Sequence, residues 1–289
     1  MTNETAACCA QFYEQDWVQT ILGDSFHPGG IDLTKRLINS LNIRKDDRVL
    51  DVACGMGTTT LLIDEQFESS VTGVDFSEHN IQRAQEIASN KSASVEFKIG
   101  DAANLPMADA SVDHLICECA VSTFADQPQA VGDFYRVLKS GGNLAISDMV
   151  LNGKLSPKME TLLAPWTCLA SAKSAAGYQR LLLDAGFVVT SYSDESQALL
   201  DLVLDLKKKL LVAGLGKTLA TADGVPDVLA SLDIAELKSL LDEAKQVVSD
   251  GVVQYCRMTF AKDRPRTSEK PELALASLDS QQCGPGCDC

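Results

Sequence analysis

The chain has 289 residues, of which 45% are hydrophobic and 22% charged, and its formal net charge is −15. This length fits one large domain, or one domain with an appendage, and the composition excludes a wholly disordered chain and a disulfide-stapled miniprotein. The acidic balance argues against a nucleic-acid or anionic-membrane partner, because lysine and arginine carry the affinity for phosphate.

Helical and strand-like segments follow one another along the first half of the chain. Two helices are predicted, over Ala10 to Leu22 and over Leu33 to Leu41, joined by a Gly/Pro turn that contains His27. From Arg48 onward, amphipathic helices alternate with short apolar strands, which are RVLDVA, SVTGVDF, SVEFKIG, VDHLICEC and, after a turn SGG, NLAISDMV. Strands of this kind are typical of a parallel sheet covered on both faces, so we predict a doubly wound α/β fold.

The second half of the chain has a different pattern. A mostly helical stretch follows Leu151, with predicted strands at FVVTSYS and at VVQYCRMTFAK, and after Lys262 the composition becomes that of a solvated tail ending in CGPGCDC. We therefore predict four parts: an N-terminal helical cap over residues 1–44, a ligand-binding α/β core over 45–151, a helical region with the closing strands over 152–262, and a flexible tail over 263–289.

The turn after the first core strand carries the pattern of a nucleotide-type site. In an open parallel sheet, ligands bind at the carboxyl ends of the strands. The glycines of the G-x-G sequence, Gly55 and Gly57, allow close approach of the backbone, and the next helix offers unpaired N–H groups. Asp75 ends the second strand, where a carboxylate can accept hydrogen bonds from both hydroxyls of a ribose. This spacing indicates an adenosine-containing ligand.

Two further features favour a cationic adenosine derivative. Thr60 stands where the dinucleotide fingerprint requires its third glycine, and Asp51 places a carboxylate just before the glycines. A carboxylate there would repel a pyrophosphate and attract an ammonium group, which favours S-adenosylmethionine over NAD. Asp101, followed by Ala102, comes after the third strand and could accept from an adenine amino group. The alternative for each carboxylate is a helix cap or turn residue, but three at successive strand ends favour a binding site.

Four motifs carry a family resemblance. In order they are DVACGMG, VTGVDFS, GDAANLPMADASVD and RVLKSGGNLAISD, and together they resemble the successive motifs of class I S-adenosylmethionine-dependent methyltransferases over Arg48 to Val150. The resemblance implies a Rossmann-like, seven-stranded, mostly parallel sheet. It also implies a methyl donor bound by Asp51, Cys54, Gly55, Gly57, Asp75, Phe76, Asp101 and Ala102. More narrowly, ICECAVSTF, ISDMVL and PWTCLASAKSAAGYQRLLLDAGF are similar to segments of arsenite methyltransferases.

The cysteines point to the acceptor. The chain has ten of them, but no apolar run long enough to span a bilayer and no secretion leader at the start of this sequence, so we expect a cytoplasmic protein with reduced thiols. In arsenite methyltransferases, cysteines of the type seen here at Cys119 and Cys168 bind the metalloid, and we carry that role to these two positions. Glu118, beside Cys119, is a further catalytic candidate. Trivalent arsenic is soft and prefers thiolate ligands.

One departure from that family concerns the helix after the glycine turn. A thiol found there in many arsenite methyltransferases falls at Thr58 to Thr60 in this chain. Candidate replacements are Cys8, Cys9, Cys256 and the cysteines of the tail. The alternative for any one cysteine is that it packs as a small apolar residue.

Other candidates lie near the two ends of the chain. Tyr13 and Trp17 on the first predicted helix are candidate substrate contacts. His27 is a candidate catalytic base, and the alternative is that its ring only forms hydrogen bonds within its own turn. In the tail, soft-metal or metalloid capture is the predicted role of Cys283, Cys287 and Cys289.

The patterns together predict a methyltransferase for a soft nucleophile. Arsenite is the first candidate acceptor, small thiols or chalcogen compounds are the next, and a thiol reductant is a candidate partner. The alternative is a methyltransferase for a small carbon, nitrogen or oxygen acceptor, such as a quinone precursor or an amine, activated by a carboxylate or a histidine. A non-catalytic metal-binding protein is a third hypothesis, which the intact donor motifs disfavour. Oligomeric state is left open.

Overall fold

Seven strands form one sheet in the part of the chain that the computed structural model describes, residues 27–164, 167–212 and 233–263. In chain order they are β1 (Arg48–Val52), β2 (Ser70–Asp75), β3 (Glu96–Ile99), β4 (Val112–Glu118), β5 (Leu138–Leu151), β6 (Phe187–Asp194) and β7 (Val253–Lys262). Their order across the sheet is β3-β2-β1-β4-β5-β7-β6. The pairs among β1 to β5 are parallel, and β7 is antiparallel to both of its neighbours. The predicted seven-stranded, mostly parallel sheet is confirmed.

Helices cover both faces of this sheet. The described helices are α1 (Gly30–Asn39), α2 (Thr58–Phe67), α3 (Glu78–Lys91), α4 (Gln127–Val137), α5 (Pro157–Leu162), α6 (Ala175–Asp184), α7 (Ser196–Val212) and α8 (Ile234–Ser249). On one face, α1 and α2 pack through Leu37 and Ile63, and on the other α4 and α6 pack through Phe134 and Leu182. The fold is therefore doubly wound, as the alternating pattern predicted.

Alternation along β5 and β7 decides which side chains meet. Successive side chains of a strand point to opposite faces. Met149 and Tyr255 join the apolar cluster formed with α5, α7 and α8, which also contains Cys168. Cys256 instead lies in the cluster on the opposite face, and its side chain is fully buried. The hypothesis that Cys256 replaces the absent helix thiol is therefore wrong, because the sheet separates it from Cys168.

The predicted SGG turn is a bulge inside β5. Val112 pairs with Leu138, and His114 pairs with Asn143, so the residues between Leu138 and Asn143 loop out opposite Asp113. A Cβ on Gly142 would lie 2.8 Å from the Asp113 carbonyl oxygen. The small residue permits the close approach, and the strand begins earlier than the sequence pattern indicated.

Several predictions concern residues outside the described ranges. They are the first helix with Tyr13 and Trp17, the cysteine pair Cys8 and Cys9, and the tail with Cys283, Cys287 and Cys289. Within the described ranges, no helix combines the length and the apolar character needed to cross a bilayer.

Candidate active site

A cavity of about 310 Å³ opens at the carboxyl ends of β1, β2 and β4. The sheet order reverses between β1 and β4, which is where ligands bind in open α/β folds. The volume lies within the roughly 300–1,000 Å³ typical of small-molecule sites. Five acidic residues, and no lysine or arginine of the described chain, line the cavity; the acidic residues are Asp51, Asp75, Asp101, Glu118 and Asp126. The cavity therefore suits a ligand with a positive charge.

The glycine turn brings backbone to the cavity wall. Gly55 and Gly57 have φ angles of 54° and 81°, in the left-handed region that favours glycine. A Cβ on Gly55 would meet no atom within 4 Å, so the backbone there borders open space. A Cβ on Gly57 would lie only 2.5 Å from the Phe97 ring. The first glycine thus leaves room for a ligand, and the second allows the close packing of α2 on the sheet.

Gly57→Ala is expected to destabilise the protein by about 1–3 kcal/mol, since the left-handed backbone and the overlap with Phe97 both disfavour a side chain. Gly132→Ala is the matched control, because Gly132 lies inside α4 and its added Cβ would meet no atom within 4 Å. That change should stabilise the helix by about 0.5–1 kcal/mol. Urea unfolding measures the free energy of unfolding of both variants. Equal free energies for Gly57→Ala and Gly132→Ala would contradict the prediction.

Asp75 is held in one orientation by three donors. Its carboxylate accepts from Gly55 N (2.8 Å), Ser77 N (2.9 Å) and, at 3.4 Å, Asn80 Nδ2. Beside it Phe76 is 60% exposed, which is unusual for a phenylalanine and offers a flat apolar surface at the cavity. A fixed carboxylate next to an open aromatic ring fits a nucleoside, with hydroxyls on the first and a base against the second.

The other predicted donor-binding residues also line this cavity. Asp101 is exposed, and its carboxylate accepts from Ala103 N at 2.9 Å. Ala102 and Cys54 form part of the wall. Burial and the nearby carboxylates of Asp51 and Asp75 raise the pKa of the Cys54 thiol well above its ordinary value. The tertiary structure thus brings the predicted residues of three strand ends to one space.

Asp51 is the most deeply buried carboxylate of the cavity. It is only 2% exposed and accepts a hydrogen bond of 2.7 Å from the Thr60 hydroxyl. Burial raises its pKa to about 7, the Thr60 bond opposes this rise, and the negative charges of Glu118 and Asp75 add to it. A cationic ligand would stabilise the ionised form, so this carboxyl is poised to respond to one.

Glu118 lies at the acceptor side of the cavity among hydroxyl donors. Thr59 donates to its Oε1 at 2.6 Å, and Thr34 donates to its Oε2 at 3.0 Å. His27 Nε2 lies 3.0 Å from the Thr34 hydroxyl and 3.4 Å from Glu118 Oε2. His27 Nδ1 lies 3.1 Å from the Pro28 carbonyl oxygen, so both ring nitrogens of His27 face hydrogen-bonding partners. His27 and Glu118 thus both contact the Thr34 hydroxyl at the acceptor side of the cavity.

Cys119 and Cys168 lie in contact although 49 residues separate them in sequence. Their Sγ atoms are 3.4 Å apart, and the Cys168 thiol donates to the Cys119 carbonyl oxygen at 3.1 Å. Cys119 has a φ of 51° and lines the cavity, whereas Cys168 is 4% exposed and lies behind it. The bond with Cys168, together with burial, raises the pKa of Cys119 well above its ordinary value. The Cys119 thiol therefore keeps its proton at neutral pH.

No cluster of three or more histidine, cysteine, aspartate or glutamate side chains suited to a metal ion occurs within the described ranges. Within those ranges Cys119 and Cys168 form a contact between two thiols.

Sequence reasoning missed the polar residues that surround these groups. Thr34, Thr59 and Thr60 fix the two buried carboxylates, and Tyr255 donates to Ser147 beneath Cys119. The threonine run was noted only as a departure from a family pattern. Its three hydroxyls at the start of a helix, next to a strand-end aspartate, were the signal that could have been used.

Comparison with known proteins places the chain in a family. A family model described as a methyltransferase domain matches residues 43–207. The chain is 32% identical to an O-methyltransferase of Pyrenophora dematioidea over 216 residues, covering 71% of this chain and 80% of that protein. It is 29% identical to phosphoethanolamine N-methyltransferase 1 of Arabidopsis thaliana over 193 residues, covering 66% and 38%. With an arsenite methyltransferase of Halobacterium salinarum the identity is 31% over 156 residues, covering 53% and 40%. The chain thus spans about two fifths of the length of these last two relatives.

Solved structures share the fold. The [4+2]-cyclase SpnF superposes with a TM-score of 0.71 at 19% identity, covering 89% of this chain and 94% of that one. Phosphoethanolamine N-methyltransferase 2 of Haemonchus contortus, in complex with phosphomonomethylethanolamine and S-adenosylhomocysteine, has the same TM-score at 18% identity, covering 86% and 56%. Since the family model covers more than half of the sequence, this chain belongs to the class I S-adenosylmethionine-dependent methyltransferases, and S-adenosylmethionine is its methyl donor.

Proposed function

We propose that this methyltransferase is a cytoplasmic enzyme that transfers the methyl group to trivalent arsenic held by Cys119 and Cys168. Small thiols and chalcogen compounds would be further acceptors of the same soft class. The observation that carries the proposal is the thiol pair, with Sγ atoms 3.4 Å apart at the wall of the donor cavity. The narrower sequence similarity to arsenite methyltransferases supports it.

The donor would be held by the residues predicted for it. Asp75 would take the ribose hydroxyls, Phe76 and Asp101 the adenine, and Asp51 the ammonium group, with Gly55 leaving space for the chain of the ligand. When bound, S-adenosylmethionine supplies an electrophilic methyl group on a positively charged sulfur. The acidic lining of the cavity attracts this charge and excludes anions.

The spacing of the two sulfurs fits one soft centre between them. Two thiolate sulfurs bound at about 2.3 Å, with an angle of about 95–110° between the bonds, lie about 3.4–3.8 Å apart. The observed 3.4 Å falls at the lower end of that range. Little rearrangement is needed to bind, and a lone pair or open position can face the cavity from the Cys119 side.

A thiol that keeps its proton, as Cys119 does, matches the chemistry of arsenous acid. Two As–S bonds form and two As–O bonds break, and each thiol proton leaves with a hydroxyl group as water. The reaction therefore needs no net oxidant or reductant and no prior loss of protons to solvent. This suits Cys119, whose pKa is raised because of its bond with Cys168 and its burial.

The negative charge of the cavity favours arsenous acid over phosphoethanolamine, the acceptor that one relative's name suggests. A phosphoethanolamine acceptor carries a phosphate, which proteins usually hold with arginine or lysine. Among the described residues, the cavity lining contains neither. An electroneutral acceptor such as arsenous acid meets no such repulsion.

A second candidate is methyl transfer to a small oxygen, nitrogen or carbon acceptor. Glu118 favours it, because its carboxylate lies in the cavity and could take a proton from a hydroxyl or amine nucleophile. The similarity to an O-methyltransferase over 71% of this chain adds weight. In this case the two cysteines would only fill space in the core, and Glu118 would act as the general base.

Transfer of labelled methyl groups to a panel of acceptors tests the proposal. The panel contains arsenite, methanethiol, a catechol-type phenol, ethanolamine and phosphoethanolamine, each with a reductant present. We expect methylated arsenic to be the main product and no transfer to phosphoethanolamine. A chain ending at Lys262 shows whether the tail thiols, for which we propose metalloid capture, raise the rate at low arsenite.

Two results would contradict the proposal in different ways. Turnover only with the phenol or the amine, abolished by Glu118→Gln but not by serine at Cys119, would establish the second candidate. Turnover with phosphoethanolamine would show that the acidic cavity does not exclude anions.

A further inference from the structure

A buried glutamine lies at the start of α4. Gln127 is the first residue of that helix, and it is only 6% exposed. Glutamine is mostly exposed in folded proteins. The helix does not need this side chain as a cap, because Asp126 is the N-cap residue and its carboxylate accepts from Gln129 N at 3.0 Å. The burial of the Gln127 amide group therefore calls for a separate explanation.

The amide group of Gln127 joins two segments that each begin with a cysteine, which we call the first thiol segment (residues 119–122) and the second thiol segment (residues 168–171). Its Nε2 atom donates to the Ser122 carbonyl oxygen at 3.4 Å and to the Ser171 carbonyl oxygen at 3.1 Å. Because both partners are carbonyl oxygens, the nitrogen of the amide must be the atom that faces them. Each serine ends its segment, so one side chain reaches corresponding points of two segments that lie 49 residues apart in sequence.

The first thiol segment has further anchors on β5. The N–H and the hydroxyl of Ser122 both donate to the buried Asp148 carboxylate, at 2.9 and 2.7 Å. Cys119 N donates to the Ser147 carbonyl oxygen at 2.7 Å. The first thiol segment is therefore fixed to the sheet, and the Gln127 amide ties the second thiol segment to it.

The oxygen of the same amide group shows that the glutamine is not there for packing. Gln127 Oε1 is buried and has no hydrogen-bond partner among the described residues. An unpaired buried oxygen costs free energy, and an unbranched methionine side chain would fill the space without that cost. What the glutamine contributes is the pair of bonds that its nitrogen makes.

We infer that Gln127 is a positioning residue of the acceptor site, whose amide group holds the two thiol segments at the separation at which Cys119 and Cys168 bind one soft centre. The inference rests on the proposed function in taking this pair as the acceptor site. Gln127 is not part of the cavity lining, whereas its neighbour Asp126 is. Loss of the amide should therefore weaken capture of the acceptor and leave the affinity for S-adenosylmethionine unchanged, because a two-point ligand needs both sulfurs in register.

The test uses phenylarsine oxide, an arsenical that takes two thiols. Two As–S bonds form, the bond between arsenic and oxygen breaks, and the two thiol protons leave with that oxygen as water. Mass spectrometry of the peptides identifies the bridge between Cys119 and Cys168. The concentration of a competing dithiol that removes half of the arsenic measures its affinity. To prevent competition from cysteines outside the described ranges, the parent for this test is the full chain with Cys8→Ser, Cys9→Ser, Cys283→Ser, Cys287→Ser and Cys289→Ser.

In Gln127→Met we expect the competing dithiol to remove the arsenic at a concentration about tenfold lower than in the parent. Gln129→Met is the matched control, because it makes the same change on the same helix. Gln129 Nε2 donates to the Ala103 carbonyl oxygen at 3.4 Å, outside both thiol segments, so arsenic should bind as in the parent. Gln127→Asn keeps the amide on a shorter side chain that reaches at most one carbonyl, and about a threefold loss is expected.

Affinity for S-adenosylmethionine, measured by calorimetry, separates positioning from general damage. It should match that of the parent in all three variants. Unchanged arsenic affinity in Gln127→Met, or an equal loss in Gln129→Met, would overturn the inference. Loss of donor affinity together with arsenic affinity in Gln127→Met would show that the residue only supports the fold, and would overturn it as well.

The inference and the proposed function fail in different ways. If Gln127→Met weakens the arsenic bridge as expected but the enzyme does not methylate arsenite, the role of Gln127 stands and the proposed acceptor is wrong. If arsenite is methylated and Gln127→Met binds arsenic as the parent does, only the inference fails. If no bridge forms between Cys119 and Cys168 in the parent, both are wrong.

Discussion

Serine at either Cys119 or Cys168 is expected to lower arsenite methylation by at least about a hundredfold, because a two-point chelate loses its second, intramolecular contact. Affinity for S-adenosylmethionine should change little, since neither thiol is among the residues expected to hold it. Cys168 is 4% exposed and lies behind Cys119, so its replacement should matter as much as that of the cavity-lining residue. Turnover is measured by separating arsenic species, and donor affinity by calorimetry.

Cys256→Ser is the matched control for these variants. Cys256 is buried, as Cys168 is, but it lies on the opposite face of the sheet, where its thiol donates to the Asp148 carbonyl oxygen at 3.6 Å. A serine can make the same bond, so we expect parent-like arsenite turnover. If all three variants behaved alike, the loss would reflect stability and not ligation. If Cys168→Ser kept full activity, the two-thiol site would be wrong.

Asp51→Asn is expected to stabilise the ligand-free protein by about 4 kcal/mol above pH 7. This free energy corresponds to the rise in the pKa of Asp51 from its ordinary value of 3.8 to about 7 in the folded protein. The folded pKa is raised, so the native state holds the proton more tightly than the unfolded chain. The contribution of this carboxyl group to the stability of the parent is therefore greatest below pH 4 and is lost as the pH rises from about 4 to 7. In the variant this part of the pH dependence should disappear.

Urea unfolding at several pH values between 4 and 8 measures this effect. Asp101→Asn is the control, because Asp101 lines the same cavity but is exposed. Comparison of the two variants isolates the effect of burying the carboxylate. Equal stability of Asp51→Asn and the parent at pH 8 would show that the buried carboxyl does not oppose folding.

The same carboxyl predicts a proton linked to donor binding. Near pH 7 Asp51 is partly protonated, and a cationic ligand in the cavity favours its ionised form. Binding of S-adenosylmethionine should therefore release a fraction of a proton, visible as a dependence of the calorimetric heat on the ionisation enthalpy of the buffer. Asp51→Asn should bind more weakly and release none. The residue thus lowers the stability of the fold in return for affinity.

Much of the fold was predictable because the local signals agreed. The strands of the core are short and apolar, and amphipathic helices separate them. This alternation arises because both faces of a parallel sheet are buried. The turn from Asp51 to Gly57 needs left-handed backbone at its glycines, which the sequence shows directly. The start of β5 was missed, because the bulge opposite Asp113 is stabilised by contacts with β4 and not by its own residues.

The sequence by itself determined the strand ends and therefore the edge of the sheet at which the cavity opens. Asp51 and Asp75 lie at the ends of β1 and β2, Asp101 follows β3, and parallel strands bring their carboxyl ends to one edge whatever the details of packing. Only the tertiary structure decided the acceptor side. Cys119 and Cys168 meet because the segment after β5 folds back over one face, and Tyr255 joins them while Cys256 cannot, because neighbouring side chains of β7 point to opposite faces of the sheet.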